Sequence, residues 1–326
     1  MLRTPVCDVL GIEVPIMQAA IWPATAPELV AAVSEEGSLG SIGSVFESAE
    51  SVERQIARVR ELTQRPFAVN HVVPLLDEEA FEATLEAKPA AISLALGDPA
   101  DLVERIHTAG AKVIHQVHTV QQAREVAELG VDVIIAQGSE AGGQGMVLGV
   151  GAMALIPQVV DAVDPIPVLA AGGIADGRGL AAALVLGAQG ANVGTRFLAS
   201  QEASADDTWK RAILQTESED VVRFEVFKEI LPSTSDRAYE TVPRVMRTPF
   251  VKEWQRRPEE ARREAERLRA ELMSAIQQRR PHELVPFTGQ TAGLIRDILP
   301  AAEIVRTMIA EAEQALERAS TLRDSR

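Results

Sequence analysis

Eight short apolar runs, each followed by a stretch of helical period, limit the fold of this chain more than any other feature. The runs begin near Pro15, Leu39, Phe67, Ala90, Lys112, Val131, Ile166 and Gly190. All but one of the intervals are about 19 to 28 residues, the length that a strand, a helix and two short loops require. Val52, Ile56, Val59 and Leu62 fall on one stripe among Glu and Arg residues, and similar stripes occupy residues 26–37, 99–110, 120–130 and 177–187. Several of these end in Gly, which takes the left-handed conformation of a helix C-terminus without steric cost. Eight such βα units predict an α/β fold of the (β/α)8 TIM-barrel class.

At 326 residues the chain is longer than a barrel of about 250 residues needs. We expect residues 1–205 and 285–326 to form the barrel, and 206–284 a mostly helical insertion or lid. Residues 206–247 are mixed in character. Residues 258–280 read as a solvated, highly charged helix held by ion pairs one turn apart, with a lid over the barrel mouth as the functional option. Ile304, Met308, Ala312 and Leu316 predict a helix over 300–318 that closes the barrel side or makes a homodimer contact. A net charge of −15 opposes nucleic-acid binding, which rests on Lys and Arg neutralising phosphates. The chain has no span of 18 apolar residues and no signal-type run at its start, so a soluble, cytoplasmic protein without a membrane partner is expected. The single cysteine, Cys7, excludes an internal disulfide and a cysteine-cluster metal site, and is expected to be a small packed residue.

The exceptional interval, about 35 residues from Val131 to Ile166, places its excess at the C-terminal end of a strand, where (β/α)8 barrels carry their chemistry. The excess is a glycine-rich loop, Gln137-Gly138-Ser139-Glu140-Ala141-Gly142-Gly143-Gln144-Gly145. Glycines there let the backbone approach a flat or phosphorylated ligand. After the seventh and eighth strands come Ala171-Gly172-Gly173-Ile174 and Asn192-Val193-Gly194-Thr195, the usual place of a barrel's phosphate cradle. The alternative for these glycines is tight-turn geometry alone. Gly143-Gln144-Gly145 is a poor dinucleotide loop, since the third glycine falls one residue late, at Gly149, and no acidic residue ends a following strand.

Pro15-Ile16-Met17-Gln18-Ala19-Ala20, Val69-Asn70, Ala136 through Gly143, Ala170 through Arg178, Asn192 through Phe197 and Gly289-Gln290-Thr291-Ala292-Gly293-Leu294-Ile295 together resemble the nitronate monooxygenases, also called 2-nitropropane dioxygenases. Their superfamily includes flavin-dependent enoyl-ACP reductases and NADH:quinone reductases. The resemblance implies an FMN-binding barrel that needs no metal and acts on a small molecule with O2. It implies that Ala20, Ile21 and Trp22 pass beside the flavin, and that Asn70, Gln116 and Gln137 hydrogen-bond its ring or ribityl chain. Gly142 would lie by the ring, while Gly172, Gly173, Asn192, Val193, Gly194 and Thr195 would hold the phosphate end.

One position departs from the pattern. The family continues Ala-Gly-Gly-His with a catalytic histidine, and this chain has Gln144 there. An amide donates and accepts hydrogen bonds but is no general base near neutral pH. Oxidation of an already anionic nitronate survives the exchange more readily than proton abstraction from a neutral nitroalkane. His118 shares strand parity with Gln116 and is the expected substitute facing the barrel mouth, whereas His71 and His115 have the opposite parity. His107 and His282 are expected at the surface. The leading expectation is an FMN-dependent oxidoreductase of the nitronate monooxygenase type. The alternatives are an NAD(P)H-dependent flavin reductase of quinones or enoyl thioesters, and an FMN-binding protein whose catalysis is lost or redirected.

Overall fold

Eight parallel strands form one sheet in the computed structural model, which describes residues 2–230 and 241–322. They are β1 (Ile16–Gln18), β2 (Gly40–Gly43), β3 (Phe67–Val72), β4 (Ala91–Ala95), β5 (Lys112–Val117), β6 (Val133–Gln137), β8 (Val168–Ala171) and β9 (Gly190–Val193), with β7 (Gly143–Met146) standing outside the sheet. Neighbours run β1-β9-β8-β6-β5-β4-β3-β2. The ring closes where Gln18 N donates to Leu39 O and Leu39 N to Ile16 O, each at 2.9 Å. The chain is therefore a TIM barrel, and each strand starts within two residues of the position expected from its apolar run.

Alternation along the strands separates two cores. Met17, Ala68, Ala91, Ile114, Val133, Ile135, Leu169 and Ala171 fill the barrel interior and pack with Val6, Cys7 and Leu10 of the N-terminal helix Pro5–Leu10. Cys7 is thus a packed core residue. Ile92, Leu94, Val113, Ile134 and Ala136 face outward against the helix layer. On helix Ala49–Leu62, Val52, Ile56 and Val59 are buried, and Ser48 caps the first turn by accepting from Ser51 N.

The glycine-rich run expected to be a loop is partly a strand. β7 is an edge of a second, three-stranded antiparallel sheet ordered β10-β11-β7, with β10 (Val221–Arg223) and β11 (Thr241–Met246). Glycines carry no strand propensity, and β7 exists because a segment a hundred residues away pairs with it, Gln144 opposite Pro243. Helices Asp207–Gln215, Phe227–Ile230, Pro249–Trp254, Pro258–Arg263 and Ala265–Gln277 surround this sheet. Phe224, Phe227, Val245, Val251, Trp254, Leu268 and Leu272 form an apolar cluster of their own. The charged 258–280 stretch is two helices carrying ion pairs such as Arg267 with Glu264 and Glu271. Of the 206–247 reading, residues 231–240 lie outside the described residues.

Helix Ala301–Thr321 buries Ile304, Met308 and Ala312 and packs on helix Gly177–Val185, covering the barrel side. Gly177 sits at the crossing: a Cβ there would lie 2.3 Å from Glu311 Cβ and 2.5 Å from Met308 O. Gly177 N also donates to Glu311 Oε2 at 2.9 Å. Gly177→Ala is therefore expected to destabilise the fold by about 1–3 kcal/mol through overpacking. Urea denaturation checks this, and an unchanged midpoint would mean that the two helices separate without cost.

Candidate active site

Inward-facing strand positions change from apolar to polar at the C-terminal ends of the barrel. Ser41, Asn70, Ser93, Gln116, Gln137 and Asn192, from six different strands, floor a cavity of about 670 Å3. Asn70 Nδ2 lies 3.2 Å from both the carbonyl and the hydroxyl oxygen of Ser93, donating across the β3–β4 pair. The walls are glycine backbone on one side and apolar side chains on the other.

The glycine side is an interlock of three chain segments. A Cβ on Gly142 would lie 2.5 Å from Gly289 N and 2.5 Å from the Thr288 carbonyl carbon, so only glycine fits. Gly289 N donates to Thr195 Oγ1 at 2.9 Å, and Gln290 N donates to Glu140 O at 2.9 Å. The Glu140 carboxylate accepts from Ala152 N at 3.0 Å and caps helix Ala152–Val163, whose own N-cap, Gly151, has no side chain to do so. Gly172 and Gly173 have φ of +86° and +77°, the left-handed region. Arg244 Nε donates to Ser139 O at 2.8 Å, and Arg223 Nη2 to Met146 O at 3.0 Å, tying the strand end to the second sheet.

Gln144 projects into the cavity from β7, and its side-chain Oε1 is buried without a partner. Ser41 Oγ and Asn192 Oδ1 are in the same state. The Gln144 carbonyl accepts from Gln137 Nε2 at 3.0 Å.

Ala20, Ile21, Trp22, Asn70, Gln116, Gln137, Gly142, Gly172, Gly173, Asn192, Gly194 and Thr195, singled out from the sequence, all line this cavity with Gln144. Two others do not. Val193 packs into the core beside Phe197 and Ile174. His118, expected to face the mouth, stands behind the wall: it is 4% exposed, with Nε2 3.2 Å from Gln137 Nε2. It follows β5 rather than continuing it, so strand parity no longer sets its direction.

His282, expected at the surface, lines the cavity and stacks on Trp209 with ring centroids 5.1 Å apart and planes 5° from parallel. Its flanking sequence is polar, and nothing local signals a contact with a residue more than seventy positions earlier. Trp22 Nε1 donates to Glu47 Oε1 at 2.8 Å, and Arg279 Nη1 donates to the same oxygen at 2.7 Å. Sequence reasoning passed over this buried carboxylate, which ties a cavity wall to the segment carrying Met273 and Ile276, two further lining residues.

The strand histidines are structural. His71 is held between Ser44 Oγ at 2.8 Å and Thr84 Oγ1 at 3.0 Å, and His115 faces the helix layer. Burial pushes His71, His115 and His118 down to about 4, opposed at His118 by a hydrogen bond to the Gln144 carbonyl. His107 is on the surface, 2.8 Å from Asp132 Oδ2.

A barrel whose strand ends floor a polar-and-apolar cavity defines a small-molecule enzyme. A family model for nitronate monooxygenase matches residues 3–84 and 77–311. A probable nitronate monooxygenase of Staphylococcus saprophyticus is 36% identical over 267 residues, covering 68% of this chain and 75% of that protein. FabK from Thermotoga maritima superposes with a TM-score of 0.88 at 32% identity, covering 99% of this chain and 100% of that one. Nitroalkane oxidase from Streptomyces ansochromogenes superposes with a TM-score of 0.79 at 27% identity, covering 96% and 99%. The chain belongs to the nitronate monooxygenase family and is an oxidoreductase of the flavin-dependent type. Among the described residues no helix is long and apolar enough to cross a membrane, and no cluster of potential metal ligands occurs.

The three buried histidines generate a pH prediction. Each stays neutral in the fold down to about pH 4, while the unfolded chain takes up protons near pH 6.5. Their stabilising contribution is complete above pH 6.5 and is lost as pH falls towards 4, by about 1.4 kcal/mol per pH unit for each ring. Denaturant titrations across that window are expected to show the slope, reduced by about one proton in His115→Phe. A flat profile would mean that these rings already carry protons in the fold.

Proposed function

We propose that the protein binds FMN over the polar floor and oxidises an already ionised nitronate with O2. The observation that carries this reading is Gln144, an amide in the cavity where the family pattern has a base. Among the described residues no carboxylate lines the cavity. A substrate that arrives as an anion needs no proton removed, and the Gln144 amide can donate a hydrogen bond to a nitronate oxygen.

The residues present fit FMN. Ser41 Oγ, Gln144 Oε1 and Asn192 Oδ1 are buried polar atoms without partners, each carrying a cost of about 1–3 kcal/mol that a polar ligand relieves. Gly172, Gly173, Gly194 and Thr195 would take the phosphate end, and Asn70, Gln116 and Gln137 the ring or ribityl chain. Ala20, Ile21 and Trp22 would flank the ring. FMN, when bound, supplies the electron transfer to O2. The protein orients the nitronate and limits water, with Phe227, Met273, Ile276 and Phe287 as the apolar cover contributed by the 206–287 region.

A second reading, reduction of an enoyl thioester by NAD(P)H, is favoured by the cavity's size and apolar outer half. Anaerobic stopped-flow mixing of FMN-loaded protein with ethyl nitronate and with NADH separates the two. Flavin bleaching by nitronate alone is expected, and bleaching by NADH alone would move the assignment to the reductase.

Gly172→Ala tests the cradle. A Cβ there would lie 2.9 Å from Gly138 O at a positive φ. FMN affinity is expected to fall at least about tenfold, read by quenching of flavin fluorescence with the fold checked by circular dichroism. Unchanged affinity would place the phosphate elsewhere.

A further inference from the structure

Two residues on opposite sides of the cavity mouth hold a backbone conformation that their side chains disfavour. Phe46, on the loop after β2, has φ of +60°, and Arg279, just past helix Ala265–Gln277, has φ of +58°. At that helix end Arg279 N donates to Ile276 O at 2.9 Å and Arg280 N to Ala275 O at 2.8 Å, a closure whose left-handed position glycine ordinarily takes. Such conformations persist where the surrounding structure fixes them, and they gather at ligand clamps. What arginine offers there, and glycine does not, is reach. Its Nη1 donates to Glu47 Oε1 at 2.7 Å, and its guanidinium carbon lies 5.6 Å from the centre of the Trp22 ring.

Glu47 directly follows Phe46 and is buried. The oxygen that meets Arg279 also accepts from Trp22 Nε1 at 2.8 Å, and the other accepts from Ser51 Oγ. Phe46 meets the Trp22 ring edge-on, with centroids 5.3 Å apart. Trp22 and Phe46 line the cavity from the barrel, and Leu272, Met273 and Ile276 line it from helix Ala265–Gln277. Phe46 and Met273 are exposed as well as lining, which puts the mouth between them. Among the described residues, Arg279 with Glu47 is the one ion pair that joins residues 249–283 to the barrel.

We propose that Glu47 and Arg279 form a clasp across the mouth. Closed, it holds helix Ala265–Gln277 and the Trp22 indole as one wall; open, it lets the ligand of the cavity in and out. Neither residue lines the cavity, so both are positioning residues that act through Trp22 and through Met273 and Ile276. Arg279 is half-exposed, and water replaces its hydrogen bonds when it swings away. Glu47 keeps Trp22 and Ser51 as donors and stands one residue before Ser48, the cap of helix Ala49–Leu62, where the helix dipole favours a negative charge.

Arg279→Gly removes the clasp and gives the left-handed position the residue it favours, so thermal unfolding is expected to stay close to wild type. Glu47→Gln keeps an acceptor for Trp22 Nε1 and removes the charge. Hydrogen–deuterium exchange of the full chain without flavin is expected to quicken about tenfold in peptides spanning 276–284 in both variants, with helix Gly177–Val185 unchanged. Stopped-flow mixing with FMN is expected to show association and dissociation both about tenfold faster, with the dissociation constant within about threefold of wild type, because an opened mouth speeds both directions alike. The double variant is expected to add nothing to either single one.

Unchanged exchange and unchanged FMN rates in Arg279→Gly overturn the clasp. Faster dissociation at an unchanged association rate also overturns it, since that is the loss of a contact with the ligand. Effects that add in full in the double variant, or exchange that quickens throughout the chain with a lower unfolding temperature, overturn it as well. Exchange that quickens at 276–284 in both single variants, in a protein that binds no FMN, supports the clasp and sinks the FMN reading instead.

Discussion

The close approach of the Gly142 backbone to Thr288 and Gly289 is the contact on which the site depends. A Cβ at Gly142 would drive the two chains apart, and with them the hydrogen bond from Gly289 N to Thr195. Three segments distant in sequence, the run just before β7, the start of the helix after β9 and the stretch before Gly293, are joined at this point. The contact anchors the chain just before β7, whose pairing with β11 makes it the edge of a second sheet. Gln144 is aimed from that edge.

The barrel was legible because its signals are local. Alternation places Asn70 and Gln116 inward and His71 and His115 outward, and the strand ends follow from where the apolar runs stop. The glycines after β8 and β9 were legible for the same reason. What escaped was non-local: β7 has no strand-forming residue except Met146, and it is a strand only because residues 241–246 pair with it. His118 misled because parity was extended one residue past the strand, into a bend. His282 and Glu47 were passed over because their roles come from Trp209 and Arg279, at separations of 73 and 232 residues. The residues that the family resemblance singled out line the cavity from the barrel side, Val193 and His118 excepted, and those that the second sheet and its helices bring to it were not among them, Gln144 excepted.

The cavity divides its work by chemistry. Its floor is amide and hydroxyl side chains fixed by strand register, which can hydrogen-bond a flat polar ring without adding charge. Its cover is aliphatic and aromatic, so a bound substrate would meet low dielectric on one face, where a hydrogen bond or a nearby charge acts more strongly than in water. Buried histidines behind the floor are neutral and already committed to packing.

The pairing of β7 with β11 makes two distant segments of the chain depend on each other. Gln144 and the segment that fixes its position are written far apart in the chain yet form one mechanical unit, register for register. Without the pairing that β11 supplies, β7 would lose the partner that sets the residue above the barrel's mouth. The position of Gln144 is therefore set as much by residues a hundred positions away as by its own neighbours.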